Sequence, residues 1–453
     1  MSLLTSSLMS SPSPVFFNTD TMFDLMTGKY QQSDDGEWYL NGGLRAHTNL
    51  IAGPQGHYKT VTSGSLVMRA KSIYADSDLI VNDTEESSII TDKDRFLRMA
   101  GDRTVPTTPE NIIYLSGAEF TMDKFYKEIL LEICKKKEEN KKDLQVETPF
   151  IDERTGKRLK VWTPTFVLID SLSNLGCEAY EELIAGGMNE SKAQTGYMLE
   201  GNKKTLFTKT LLTMAVRYGL VIVMTAHYDE KIQVQMYSSS LKQTMYAKQN
   251  WTLKHCGSDA KFSVSNYATV QAAFLEDQNH EAMYKRTGSS LSKECAEVKV
   301  TLERSKGNSS GVTVPFVCSQ IDGLLNPLSS YHYLRENNYF GLGGNKITQK
   351  VMGLPDVSVS RNTIRDIMAK DYRVCRALQL TAQYFFIKSS WFTANMPWDF
   401  DKNPYELMDK FMSDKNKNVV SDILESRGYW TYSPVDRPYM SLFKVLELIG
   451  AKK

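Results

Sequence analysis

Seven short apolar runs, each closed by polar or acidic residues, constrain this chain more than any other feature. They are NLIAG, DLIVND, NIIYLS, TFVLIDS, LVIVMTAH, NYATVQAAF and EVKVTLE, all between about 45 and 325. Between them apolar residues return at helical spacing, as at Phe125, Ile129 and Ile133. Strands that are apolar on both faces must be covered on both faces, and alternation with helices supplies the cover. The expectation is an α/β domain on a mostly parallel central sheet.

The remaining chain frames that domain. Residues 1 to about 20 are rich in Ser and Pro until VFFN and read as an extended arm carrying two adjacent aromatics, Phe16 and Phe17. ERTGKR, Glu153 to Arg158, is a turn between FID and LKVW, so a projecting hairpin is expected over 147–162. NTIRDIMAKDYRVCRALQLTAQYF has helical periodicity, which makes the last hundred residues a mainly α domain. The division expected is therefore an arm over 1–45, a core over 46–345 and a helical domain over 346–453.

Composition narrows the class. With 453 residues, 41% of them hydrophobic, the chain can bury a large core. A formal charge of +1 confines any nucleic-acid surface to a local patch. The six cysteines are far apart and lack zinc-ligand spacing, as expected of reduced thiols in a cytoplasmic protein. The longest aliphatic run, Leu220 to Met224, is too short to span a bilayer, and no basic segment opens a secretory signal.

The chemistry gathers at the ends of the apolar runs. AGPQGHYKT has phosphate-loop spacing, Gly53 followed after five residues by Lys59 and Thr60, with Tyr58 where the usual pattern has a second glycine. In such a loop backbone N–H groups and a helix N-terminus surround phosphate oxygens, a lysine reaches the outer phosphates and a hydroxyl takes Mg2+. FVLIDS ends an apolar strand in Asp170, the form of an acid that holds Mg2+. LIVNDTEES puts Glu85 where a carboxylate can polarise water, and VIVMTAH puts His227 where a polar side chain can sense a γ-phosphate.

In this order the motifs resemble those of RecA-type recombinases, and among them the phage UvsX branch, whose phosphate loops carry an aromatic before the lysine. The resemblance runs from VFFN through NGGLRAHTNLIAGPQGHYKT, NDTEES, RFLRMAG, LIDSLSNL and TAHYDE to LERSKG and NPLSSY, about two thirds of the chain. It implies a RecA-like P-loop ATPase core that binds ATP through Gly53, Pro54, Gly56, His57, Tyr58, Lys59, Thr60 and Asp170, with Phe96 stacked on adenine. Thr60 and Asp170 would hold Mg2+, Glu85 would polarise water, and His227 would sense the γ-phosphate. Arg304 and Lys306 would enter a neighbour's nucleotide site.

The same resemblance implies DNA contacts after the sensor, where lysines alternate with aromatics. Lys231, Lys242, Lys248 and Lys254 would track phosphates and Trp251 would stack on bases. Lys203 and Lys204 match an earlier DNA loop. Phe16 and Phe17 are expected to dock on an adjacent copy as the polymerisation element. The implied function is an ATP-dependent recombinase that forms helical filaments on single-stranded DNA and pairs it with duplex DNA, aided by a single-strand-binding protein and a loading mediator. The setting implied is the cytoplasm of a phage-infected bacterium. A hexameric RecA-core helicase and a non-catalytic DNA-binding mediator are the alternatives. The hairpin over 147–162, the helical last domain and the ending GAKK depart from the family pattern.

Overall fold

The computed structural model describes residues 14–86, 92–101, 111–117, 119–185, 190–230, 251–256, 260–288, 291–307, 310–413 and 416–453. Its centre is a ten-stranded, mostly parallel sheet. Nine strands form one path in the order Ile112–Ser116, Asp78–Asp83, Thr165–Asp170, Leu220–Glu230, Thr48–Gly53, Asn266–Phe274, Cys295–Ser305, Val312–Ser319 and Gly323–Leu324. The first six run parallel and the last three continue antiparallel. A tenth, Trp251–Leu253, pairs with the far end of Leu220–Glu230.

Period-two alternation distributes the apolar runs between two cores. Ile51, Leu79, Val81, Phe166, Leu168, Val221 and Val223 face one, which the helix Lys59–Ile73 covers. Leu50, Ile80, Val167, Ile169, Ile222 and Met224 face the other, against Phe207, Leu211 and Met214 of the helix Glu190–Tyr218. The parallel strands Asp78–Asp83, Thr165–Asp170 and Thr48–Gly53 and residues 220–226 are thus buried on both faces and carry no alternating polar residues, whereas Cys295–Ser305 alternates, with Glu297, Lys299, Thr301 and Glu303 on its outer face. Among the described residues no helix is long and apolar enough to cross a membrane.

The sheet register sets the functional geometry. Asp170 lies opposite Asp83, and His227 lies opposite Gly53. Four parallel strands therefore end together, bringing the phosphate-loop sequence, the strand-end acids and the histidine to one edge.

The amino-terminal segment differs from the expected extended arm. From Val15 onward the chain is folded into its own core. Phe16–Phe17 pairs antiparallel with Leu44–Arg45, and a hairpin of Lys29–Gln32 with Trp38–Asn41 lies beyond it in the chain. The Phe17 ring lies 5.1 Å from Tyr74, 5.9 Å from Trp430 and 6.3 Å from Phe166. Trp430 donates its indole N–H to Phe16 O and its backbone N–H to Asn18 Oδ1. The docking of Phe16 and Phe17 on another copy is accordingly corrected: both rings are buried within their own chain.

The hairpin over 147–162 forms from Gln145–Asp152 and Lys157–Trp162. It does not project freely. Phe150 packs edge-on to Trp430 at 5.4 Å, and Arg158 bridges Asp34 and Asp35 at 2.7 and 3.2 Å. The last segment is mainly helical, as expected, with one added hairpin of Gln349–Val351 and Leu354–Val359.

Phe17→Ala should therefore lower unfolding free energy by about 3–5 kcal/mol, the usual cost of deleting a buried phenyl ring. Chemical denaturation at two protein concentrations checks this. An equal loss at both is expected, whereas unchanged stability of the dilute protein would return Phe17 to a role between copies.

Candidate active site

The loop after Gly53 is shaped by backbone demands that its residues meet unevenly. A Cβ at Gly53 would approach Val270 O to 2.7 Å, so the strand next door excludes any side chain. Tyr58 has φ 58° and ψ 25°, the left-handed conformation that a glycine supplies without strain. Here a tyrosine accepts it, at a typical cost of about 1–3 kcal/mol, while its half-buried ring packs against the core. The helix begins at the next residue, Lys59.

Lys59 is 6% exposed, and its ammonium donates to Pro54 O at 2.7 Å, inside the curve of the loop. Burial lowers its pKa, while Glu85 and Asp170 oppose that shift. His57 Nδ1 accepts from the Ala272 N–H at 3.0 Å and ties the loop to the neighbouring strand. Burial and then Lys59 lower the His57 pKa, so its ring stays neutral and able to accept.

Asp170 is 1% exposed, and burial pushes its carboxyl up to about 6. Its Oδ1 accepts from the Thr225 hydroxyl, and the Thr60 hydroxyl lies beside the carboxylate. Oδ2 is buried and makes no hydrogen bond. A hard cation with oxygen ligands would satisfy that orphaned oxygen, with Asp170 and Thr60 the residues to hold it. Among the described residues no group of three His, Cys, Asp or Glu could hold a metal alone.

Glu85 is the centre of the remaining geometry. Its Oε1 accepts from His227 Nε2–H at 2.6 Å and from the Ser171 hydroxyl at 2.7 Å. The His227 bond holds its carboxyl below the usual range, against the opposing effect of burial. Among the described residues both bonds fall on Oε1. Thr84 sets this alignment: its hydroxyl accepts from Ser171 N at 2.6 Å and donates to Ser171 O at 2.8 Å.

His227 also joins this edge to the two lysine-bearing segments beside it. Its backbone N–H donates to Ser173 Oγ at 2.9 Å, and its carbonyl accepts from Lys254 N at 2.8 Å. Ser173 O in turn accepts from Lys204 Nζ at 2.7 Å, and Lys204 pairs with Glu200 at 2.6 Å. Two segments expected to meet DNA are thus tied to one histidine.

The expected residues separate by these contacts. Gly53, Pro54, Gly56, His57, Tyr58, Lys59, Thr60, Glu85, Asp170 and His227 converge at the strand ends. Phe96 does not join them as an adenine platform: it is fully buried against Gly64 and Tyr114. Lys204 is corrected from DNA contact to structural tie, because it is fully buried and ion-paired. Lys203 is half-buried and Lys254 exposed. Lys231, Lys242 and Lys248 lie outside the described residues, as does the Trp251 side chain. Arg304 and Lys306 lie at the opposite end of the sheet: Ser305 is opposite Asn266, which is opposite Asn49, four residues before Gly53. At about 3.3 Å per strand residue this is about 13 Å from the loop of the same chain.

Sequence reasoning missed Thr84, Ser171, Ser173 and Thr225, hydroxyls that orient the acids. Their only signal was a polar residue just past, or at the end of, an apolar run. No protein-family model matches this chain, and no curated protein matches it significantly.

Asp170 gives a pH test. Its folded pKa, about 6, exceeds the ordinary value of 3.8. The stability it contributes is therefore complete below about pH 4 and lost as pH rises through about 6. Asp170→Asn removes that loss, so without Mg2+ or nucleotide the variant should be more stable than wild type at pH 8, by up to about 3 kcal/mol. Near pH 4 the two should match. Denaturant midpoints at both pH values check it, and equal stability at pH 8 would mean that Asp170 is not strained by burial.

Proposed function

We propose that this chain is a RecA-type ATPase that assembles on single-stranded DNA as a filament and promotes homologous pairing and strand exchange. The observation that carries the reading is the bond from His227 to Glu85. It joins a candidate water-polarising carboxylate to the strand that leads into the lysine- and aromatic-rich segment after 229. Hydrolysis and DNA contact would then be physically linked.

In this reading Lys59 binds the outer phosphates of ATP, and Gly53 to Tyr58 curve around them. Asp170 and Thr60 hold Mg2+, which when bound neutralises charge on the phosphates. Glu85 Oε2 accepts a proton from the attacking water while Oε1 stays fixed by His227 and Ser171. His227 reports the γ-phosphate to its own backbone carbonyl and so to Lys254.

Charge supports assembly. Around the phosphates the chain brings Glu85, Asp170 and Asp83 but, among the described residues, only one nearby lysine, Lys59. Arg304 and Lys306 are too distant to act in their own chain. A second copy presenting them would supply cations for charge developing in phosphoryl transfer.

Lys59→Ala should abolish ATP-dependent DNA binding, because the phosphates lose a charge-assisted donor worth about 1.5–3 kcal/mol. Glu85→Gln should retain ATP affinity and lower the hydrolysis rate about 10²–10⁴-fold. Nucleotide titration, steady-state hydrolysis and electron microscopy with single-stranded DNA check both variants. Filaments persisting with Glu85→Gln and ATP support the recombinase. Closed rings would favour a helicase, and free particles binding DNA without stimulated hydrolysis would favour a mediator.

A further inference from the structure

Three cations meet where the first core strand begins. Arg45 donates to Ser265 Oγ at 3.3 Å, and the Lys306 N–H donates to Ser265 O at 3.0 Å. Arg304 donates at 2.5 Å to the carbonyl of Phe262, three residues before Ser265, and its guanidinium lies 5.8 Å from the Phe262 ring centre. Among the described residues none of the three forms an ion pair with a carboxylate. Burial, then Arg304 and Arg45, lower the Lys306 pKa, and the nearby His47 falls to about 3 through burial, Arg45 and Lys306. Like charges held together, with no ion-paired acid among the described residues, form a site prepared for an anion.

The amino-terminal strand builds it. Phe16 pairs in register with Arg45, whose guanidinium lies 6.0 Å from the Phe16 ring centre. A Cβ on Gly307 would meet Phe16 Cζ at 2.8 Å, so the ring also fixes the turn that carries Lys306. Phe16 is 3% exposed and cannot reach another copy without leaving this position.

We propose that Arg45 joins Arg304 and Lys306 in one oxyanion site for a phosphate group, as a direct ligand with Phe16 its positioning residue. The phosphate has two possible sources of the same chemistry, the terminal phosphate of a nucleotide held by a second copy or the backbone of DNA. The first source rests on the proposed ATPase function. The planar fork of Arg45 suits two phosphate oxygens, which a lysine ammonium reaches only as a point charge.

Calorimetric titration with inorganic tripolyphosphate separates the proposal from activity. The full chain carrying Lys59→Ala, which disables its own phosphate loop, is compared with the same chain also carrying Arg45→Ala or Arg45→Lys. Arg45→Ala should weaken binding about tenfold or more, and Arg45→Lys should restore only part of it. Unchanged affinity overturns the proposal.

Two arms then identify the source. If it is a neighbour's nucleotide, Arg45→Ala alone should retain ATP binding but lose hydrolysis, and mixing it with Lys59→Ala on DNA should restore part of the rate. If it is DNA, the log–log salt slope of single-strand affinity should fall by about 0.7. Weaker tripolyphosphate binding with neither effect marks an adventitious anion site only and also overturns the proposal. A wild-type chain that hydrolyses no ATP would sink the ATPase reading, while the titration and the salt slope would still decide this one.

Discussion

The hydrogen bond between His227 and Glu85 depends on nearly everything else in the core. Glu85 follows the strand Asp78–Asp83 and His227 lies on Leu220–Glu230, with Thr165–Asp170 between them, so the two meet only because the strands end level. That level ending follows from parallel pairing, and parallel pairing needs helical crossovers on both faces. Fully apolar strands are stable only under that double cover. A one-residue slip of any strand would turn its core residues to the wrong face and part the site as well.

The site is assembled at a local cost that the fold offsets elsewhere. Tyr58 holds a left-handed backbone, Asp170 is buried with an unsatisfied oxygen, and Lys59 is desolvated next to acids. Each is unfavourable in isolation and each concerns a group that phosphate chemistry would use. Left-handed residues and unpaired buried polar atoms occur elsewhere too, as at Asn338 and Arg376, but here three unfavourable features coincide on groups suited to phosphate chemistry, the pattern expected of a functional site. The proposed RecA-type activity gives these three features a common cause.

The sequence made the strand ends legible because both signals there are local. An apolar run followed by Asp, Glu or His places the polar residue at a strand's end, and phosphate-loop spacing survives the substitution at Tyr58. The burial of Phe96 and Lys204 was not legible, since spacing does not say which way a side chain points or what covers it. Phe16 and Phe17 were misread for a related reason. Two aromatics beside a Ser- and Pro-rich stretch suggest an arm, but their partner Trp430 lies more than four hundred residues away in the chain. Long-range burial of that kind has no periodic signature. The hydroxyls of Thr84, Ser171 and Thr225 were missed because serine and threonine at strand ends are common and usually solvated.

The central claim is that phosphate binding and the segment after His227 are physically coupled through one strand. Backbone hydrogen exchange at Lys254, whose N–H is held by His227 O, reads that coupling directly. Adding a non-hydrolysable ATP analogue with Mg2+ to the DNA-free protein should change exchange at Lys254 and in the peptide 220–230 by tenfold or more. It should leave the hairpin over 145–162 unchanged. Saturated nucleotide binding with identical exchange at Lys254 would contradict the account.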